Sequence, residues 1–493
     1  MGAAEGSAGL TAVVVGGGIS GLLAARELAR AGVRTTVLEA SSDWGGCVGS
    51  HVVGGLTLDS GAESFATRSP AVADLAAELG LAAEIVAPNP GGAWVQLPDG
   101  PRELPRTGVL GIPANPWDPE VRRSLGTLGS LRASLDALLP ASLGTGSGDT
   151  SVAALVRARM GRRVLDRLVA PVVGGVHSAD PAVLDVDMVA PGLRAGIRQH
   201  GSLAAAVAAQ RRGTPSNGST GGHAQATAAA PKTAPQKAGS AVAGLRGGMH
   251  TLISALVADL GNRGVTLLGS TRADTIERTA GGWRVRSGDL DYDAGLLVVA
   301  VEGPAAVGLL SGALPGLASR RPAAGPDVSL VTLVVDLPEL DAAPRGTGIL
   351  VAPQSPGIGA KALTHATAKW RWLAGQAGPG THVLRLSYGR GTRPADGSDS
   401  EPRTDAELFE AAVQDASALL AVPVPAGAVL AWDVVRWSGA LPFASLGHKR
   451  RVAEVREICA ADGTLAVVGG WLSGNGLAAI VADTPKVLRS LLP

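Results

Sequence analysis

The sequence predicts a multidomain α/β and α+β protein, and three observations carry that prediction. The N-terminal residues read as strand, glycine turn, helix and second strand; the residues from 465 onward return to strand followed by helix; and between them lie a mostly helical stretch and a strand-rich one. A chain of 493 residues also exceeds what one ordinary core holds and suggests two to three domains. Its 46% hydrophobic and 17% charged residues suit a soluble protein with a large buried interior.

In order, residues 13–15 form a buried strand, 22–31 a helix and 35–38 a second strand. Residues 71–200 read as mainly helical, with helices over 71–79, 121–139 and 152–169 separated by Pro- and Gly-rich turns such as 87–92. The stretch 211–240, most sharply from 213, holds almost no large apolar residue. Burial therefore cannot offset its ordering entropy, and it reads as a disordered low-complexity insertion. The pattern resumes near Leu245 with a helix over 249–260 and strands over 265–268, 283–285 and 296–301. Further strands at 330–335, 348–351, 360–366 and 382–388 form a mixed-sheet region closed by a helix over Asp405–Leu420. The chain ends with strand 465–468, the pair Gly469-Gly470 and a helix over 477–492. No internal repeat is visible.

Charge excludes several function classes. A net charge of +1 offers no field to recruit nucleic acid. Arginine outnumbers lysine 37 to 6, a bias of the kind GC-rich codon usage produces, so arginine count alone is no functional signal. Cys47 and Cys459 cannot build a disulfide framework and lack metal-ligand spacing, which agrees with a reducing cytoplasm. No cationic region precedes the first apolar stretch, which disfavours a signal peptide. The apolar run 296–317 is broken by Glu302 and Pro304 and reads as strand then helix, not as a membrane span. Peripheral membrane contact stays open.

The sharpest motif follows the first strand, where Gly16, Gly18 and Gly21 meet the dinucleotide-binding spacing between strand and helix. The first glycine permits the turn, the second lets the backbone approach a pyrophosphate, and the third packs helix on strand; the helix N-terminus then offers amides and positive dipole to phosphate. Glu39 lies 18 residues past Gly21, at the end of the second strand, where a carboxylate binds a ribose hydroxyl and disfavours a 2′-phosphate. The alternative, a surface glutamate capping the strand, ignores that register.

The run from 16 to 46, GGGISGLLAARELARAGVRTTVLEASSDWGG, resembles the extended FAD signature of the flavin amine oxidase and protoporphyrinogen oxidase superfamily, in which a glycine pair, here Gly45-Gly46, follows the acidic residue. Leu58-Asp59-Ser60-Gly61-Ala62-Glu63-Ser64-Phe65 is similar to the segment that runs beside the flavin, and stretches 168–184, 244–256, 437–452 and 469–480 resemble the porphyrinogen oxidase branch in order and spacing. The resemblance implies a Rossmann-like FAD-binding domain assembled from discontinuous segments (1–70, 244–302 and 438–493), a helical insertion domain (71–200) and a mixed-sheet substrate domain (303–437). Position by position, it places Gly16, Gly17, Gly18, Ile19, Ser20 and Gly21 on the pyrophosphate, with Glu39 and Ala40 at the adenosine ribose. Gly61, Ala62, Glu63 and Ser64 fall beside the flavin, and Ala273 contacts adenine through its backbone. Trp437 stands at the cofactor, while Gly474, Asn475, Gly476 and Leu477 face the ribityl chain and ring. The chain departs from the family at Cys47, where relatives carry a cation, at Leu472 and Ser473, which replace Tyr and Arg, and at Phe443, which replaces a frequent Tyr.

The family's chemistry would be flavin-centred, so no catalytic acid or base is assigned. The implied reaction is the six-electron oxidation of coproporphyrinogen III to coproporphyrin III by dioxygen, with hydrogen peroxide released; protoporphyrinogen IX is the near alternative. No second glycine fingerprint could hold a nicotinamide cofactor. Arg68 matches a basic position that approaches a substrate propionate, or else it caps the helix starting near Pro70. Lys369 beside Trp370 resembles another family position but reads first as a strand-end surface residue, and His177 either lines the cavity or, as a lone His in a Gly/Val-rich turn more often is, packs in the turn. A flavin amine oxidase, a carotenoid desaturase and a non-catalytic porphyrin carrier are the more distant readings, and a downstream ferrochelatase is the implied transient partner.

Overall fold

The computed structural model describes residues 9–105, 108–212, 242–389, 404–439 and 444–492. The expectations for 213–240 and for Phe443 lie outside them, whereas Arg211 and Arg212, placed in the disordered insertion from sequence, close the helix Leu203–Arg212.

Apolar runs without a polar face demand burial on both sides, and they form a parallel sheet. Its strands β1 (Thr11–Val15), β2 (Arg34–Leu38), β3 (Thr266–Leu268), β4 (Leu296–Val299) and β5 (Leu465–Val467) lie in the order β3-β2-β1-β4-β5, drawn from three distant parts of the chain. Helices α1 (Ile19–Arg30), α2 (His250–Asn262) and α3 (Leu477–Leu488) cover one face, where Val14, Leu22, Leu252, Val298 and Val481 share a core. On the other face Val13, Leu297 and Val299 pack against Trp283, Leu310 and Cys459.

A seven-stranded sheet forms the second layer. Its order is Val429–Trp437, Val328–Asp336, Thr381–Tyr388, Ala362–His365, Gly348–Val351, Trp94–Leu97 and Gly100–Glu103. All neighbours pair antiparallel except Gly348–Val351 with Trp94–Leu97, which makes the sheet mixed. Helix Asp405–Leu420 packs Ala412 and Ala416 on Leu333, Leu384 and Leu386.

The last two strands of that sheet come from the stretch read as mainly helical. Each is four residues long and bounded by Gly and Pro, too short to overrule its neighbours by periodicity. Apart from the two-residue strands Ile85–Val86, Gly108–Val109 and Ile112–Pro113, the rest of that stretch is mostly helical around Val121, Leu155, Leu168, Leu193 and Val207. The expected helix over 121–139 is Pro119–Ser134, interrupted at Gly126 (φ 69°) and followed by a 3-10 turn, Leu135–Leu138. The helix over 152–169 breaks at Gly161 (φ 89°) and resumes as Arg162–Val164 and a π-helical turn, Leu165–Val169. Arg159, wholly buried, ties this region together: its Nε donates to Asp136 Oδ1 (2.6 Å), and its Nη atoms donate to the carbonyls of Pro140, Leu143 and Gly201 (3.1, 3.0 and 3.2 Å). No helix among the described residues is long and apolar enough to cross a membrane.

Candidate functional site

Gly16 leaves β1 at φ 104°, and its N–H donates to the Leu38 carbonyl (2.8 Å). A Cβ on Gly21 would stand 1.8 Å from the Gly16 carbonyl oxygen, so α1 can pack on the turn only without a side chain there. A Cβ on Gly18 would meet nothing within 4 Å. Gly18 is also the N-cap of α1, with no side-chain cap, so the first-turn amides face an open approach of the kind a phosphate uses. This cradle fits a dinucleotide. Glu39 accepts from the amides of Gly17 (2.6 Å) and Ser41 (2.8 Å), which leaves lone pairs for ribose hydroxyls. The Gly45 amide donates to the Gly17 carbonyl (2.9 Å) and seats the second glycine pair against the first turn.

A cavity of about 680 Å³ opens where this turn meets the seven-stranded sheet, within the size range of small-molecule sites. Of the residues singled out from sequence, Gly18, Ile19, Ser20, Gly45, Gly46, Gly61, Ala62, Ser64, Trp437, Asn475, Gly476 and Leu477 line it. Gly16, Gly17 and Gly21 shape the turn from behind, and Glu39, Ala40, Glu63, Ala273 and Gly474 stand outside the wall. Arg68 is exposed in the turn before helix Ala71–Glu78 and also stands outside it, while the first amide of that helix bonds the Ser69 hydroxyl. Cys47 lines the wall where a cation was the family's pattern.

Of the remaining wall, Gly175, Val176, Ser178, His448 and Trp471 lie in stretches that resemble the family but were given no role from sequence, and the sheet residues carried no sequence signal. Ala362, Thr364, Arg385 and Ser387 come from one face of the seven-stranded sheet, Gly175, Val176 and Ser178 from the helical stretch, and Glu302, His448 and Trp471 from the parallel layer. His177 is buried and stands outside the wall between residues that line it; burial lowers its pKa to about 4, as for a packed, neutral imidazole. His448 Nε2 donates to the Trp471 carbonyl (2.7 Å), and burial holds the ring neutral. Burial, and next the charge of Asp327, raises the Glu302 carboxyl.

Arg385 is the one Lys or Arg in this wall among the described residues. Its Nη1 donates to the carbonyls of Asp59 (3.2 Å) and Gly61 (2.9 Å), and its Nη2 pairs with Glu63 Oε2 (3.0 Å). Lys369 pairs with the other Glu63 oxygen. This corrects the reading of Lys369 as a surface residue: its side chain is only 15% exposed. Burial alone would raise the Glu63 carboxyl, yet Lys369 and Arg385 hold it down at about 2. Trp437 Nε1 donates to the Ser60 carbonyl (2.8 Å), a second tie from the seven-stranded sheet to the same segment.

The model of the flavin-containing amine oxidoreductases matches residues 19–482. The chain is 32% identical to the coproporphyrinogen III oxidase of Propionibacterium freudenreichii subsp. freudenreichii, over 96% of this chain and 88% of that one. It is also 32% identical to the coproporphyrinogen III oxidase of Mycobacterium leprae, over 97% of each. Among solved structures it resembles a putative protoporphyrinogen oxidase from Exiguobacterium sp. 255-15, with a TM-score of 0.78 and 24% identity over 98% of each chain.

Proposed function

The chain belongs to the flavin-containing amine oxidoreductase family, and from that premise we propose that it is an FAD-dependent oxidase converting coproporphyrinogen III to coproporphyrin III in haem biosynthesis. Relatives that span nearly the whole chain carry that activity in their names, and this observation carries the reading. The cradle from Gly16 to Gly21 holds the diphosphate, Glu39 the ribose, and the wall from Gly61 to Ser64 together with Asn475, Gly476 and Leu477 lines the ring and ribityl chain. When bound, the flavin supplies a hydride acceptor that passes electron pairs to dioxygen, so three two-electron steps aromatise one macrocycle and release three hydrogen peroxide molecules.

The chain's own part is to bind and orient. The nucleotide falls to 1–70, 244–302 and 438–493, and the macrocycle to the sheet of 303–437 extended by Trp94–Leu97 and Gly100–Glu103. Ala362, Thr364 and Ser387 offer a wall of small side chains to a flat ring. The wall's one guanidinium is already held by Glu63 and two carbonyls, so the propionates lie at the cavity mouth, toward solvent. The product is a metal-free porphyrin, and a chelatase is the class of enzyme that consumes it. Protoporphyrinogen IX is the second reading, favoured by the likeness to the Exiguobacterium structure.

Purified FAD-loaded protein in air should turn coproporphyrinogen III fluorescent and release peroxide, with a higher specificity constant than for protoporphyrinogen IX. Porphyrin binding without peroxide would make the protein a carrier and overturn the proposal. The reverse preference would move the substrate to protoporphyrinogen IX. Arg68→Ala should leave KM unchanged if the propionates face solvent, and a raised KM would restore Arg68 as their partner.

A further inference from the structure

The charges around Glu63 do not cancel. Glu63 carries one negative charge, held ionised at about 2, and its two partners Lys369 and Arg385 carry two positive ones. The side chains of all three are about 15% exposed or less, so solvent screens them poorly. The Asp59 carboxylate is a further negative charge, but it pairs with neither cation. Its two oxygens are taken by the amides of Met249 (2.9 Å) and His250 (3.0 Å) at the start of α2 and by His250 Nδ1 (3.1 Å). That carboxylate therefore answers a helix N-terminus and an imidazole.

The surplus lies directly behind the cavity. Ala62 and Ser64, the neighbours of Glu63 in the chain, line the wall, and so does Arg385. A receptor for a substrate carboxylate would present an ammonium or an open guanidinium edge to the cavity. Here Lys369 stands outside the wall, and both Nη atoms of Arg385 are engaged by oxygens of the segment 59–63. What remains is a fixed, low-dielectric positive charge facing the segment assigned to the flavin. Reduction adds two electrons to that ring, and a nearby cation stabilises the electron-rich form more than the oxidised one.

We propose that Lys369 and Arg385, clamped by Glu63, form a charge device that raises the reduction potential of the bound flavin, with Arg385 also positioning the segment 59–63 on the seven-stranded sheet. This rests on the flavin reading of the cavity. It assigns to the cluster neither proton transfer nor substrate binding. Lys369 is the cleaner of the two cations to test, because removing it leaves the Glu63–Arg385 pair and the carbonyl ties intact.

The test is a dye-referenced redox titration of the FAD-loaded protein, comparing wild type, Lys369→Met and Lys369→Arg, with the flavin absorbance as readout. Lys369→Met should lower the potential by a tenfold or greater change in the reduced-to-oxidised ratio, about 30 mV for a two-electron couple. Lys369→Arg should restore it. A Lys369→Met potential equal to or above wild type, or an Arg variant that stays as low as the Met variant, overturns the charge device while leaving the flavin reading standing. A wild-type chain that takes up no FAD overturns both. A Lys369→Met protein that does not fold shifts the test to Lys369→Gln, for which the same drop is expected and no drop is fatal.

Discussion

Arg159, wholly buried, and Arg385, partly buried, each bind one carboxylate and backbone carbonyls, yet their partners differ in kind. Arg159 reaches Asp136, Pro140, Leu143 and Gly201, all within 42 residues of it, and every one of those groups ends or joins a helix of the same core. Arg385 reaches Asp59 and Gly61 from 326 and 324 residues away and sits in the wall of the cavity. The first holds a region to itself, and the second holds two regions to each other at the place where chemistry is expected. The same fork of N–H donors serves the fold in one case and the site in the other.

The strongest way to break that contrast is Arg159→Met. It leaves Asp136, 1% exposed, without its cation, and removing one partner of a buried pair costs about 3–5 kcal/mol. The thermal or urea midpoint should fall steeply while any protein that remains folded still takes up FAD; a variant of normal stability with reduced FAD content would reverse the assignment. Arg385→Met should cost less, about 1–3 kcal/mol, because the cavity lets water reach the oxygens it abandons. Its larger effect should be on FAD content and affinity, measured by flavin absorbance after gel filtration. Equal losses of midpoint for the two variants would erase the distinction.

Acid sharpens it further. The Glu63 carboxyl has a folded pKa of about 2 against an ordinary 4.5, so its pairing contributes stability that is fully present above 4.5 and lost as pH falls through about 2. The melting temperature of the wild type should therefore drop more steeply between those limits than that of Glu63→Gln. Parallel curves would mean that Glu63 contributes nothing through its charge. The smallest effect is expected at Arg162 and Asp166, a pair one helical turn apart whose arginine is 82% exposed. Asp166→Asn should change stability by less than about 0.5 kcal/mol and leave FAD content alone, which sets the floor against which the buried pairs are judged.

The glycine turn and the acid that follows it were legible because their information is local. Gly16, Gly18 and Gly21 lie within one turn, Glu39 follows at a set offset, and the reasons for each residue type are steric or electrostatic facts about adjacent backbone. The substrate half of the site was not. Lys369 beside Trp370 resembles a family position yet reads from its neighbours as a strand-end surface residue, and only the fold brings it to Glu63, 306 positions away. Arg385 sits in an alternating strand whose pattern says which residues share a face but not what that face meets. Residues 94–97 and 100–103 were hidden for a related reason, since four-residue strands carry too little pattern to be separated from the helices around them.

By itself the sequence determined that strand, glycine turn and helix would follow one another with an acid at the end of the second strand, that the apolar runs would be buried strands, and which family the chain would join. Each of these depends on contacts between residues close in the chain or on burial that any apolar run requires. Only the tertiary structure decided where the charges go: which lysine pairs with Glu63, which arginine reaches the carbonyl of Gly61, and that the expected Arg68 stands outside the wall. Ion pairs between distant segments are set by how two sheets dock, and docking is a property of whole surfaces that no single stretch of chain records.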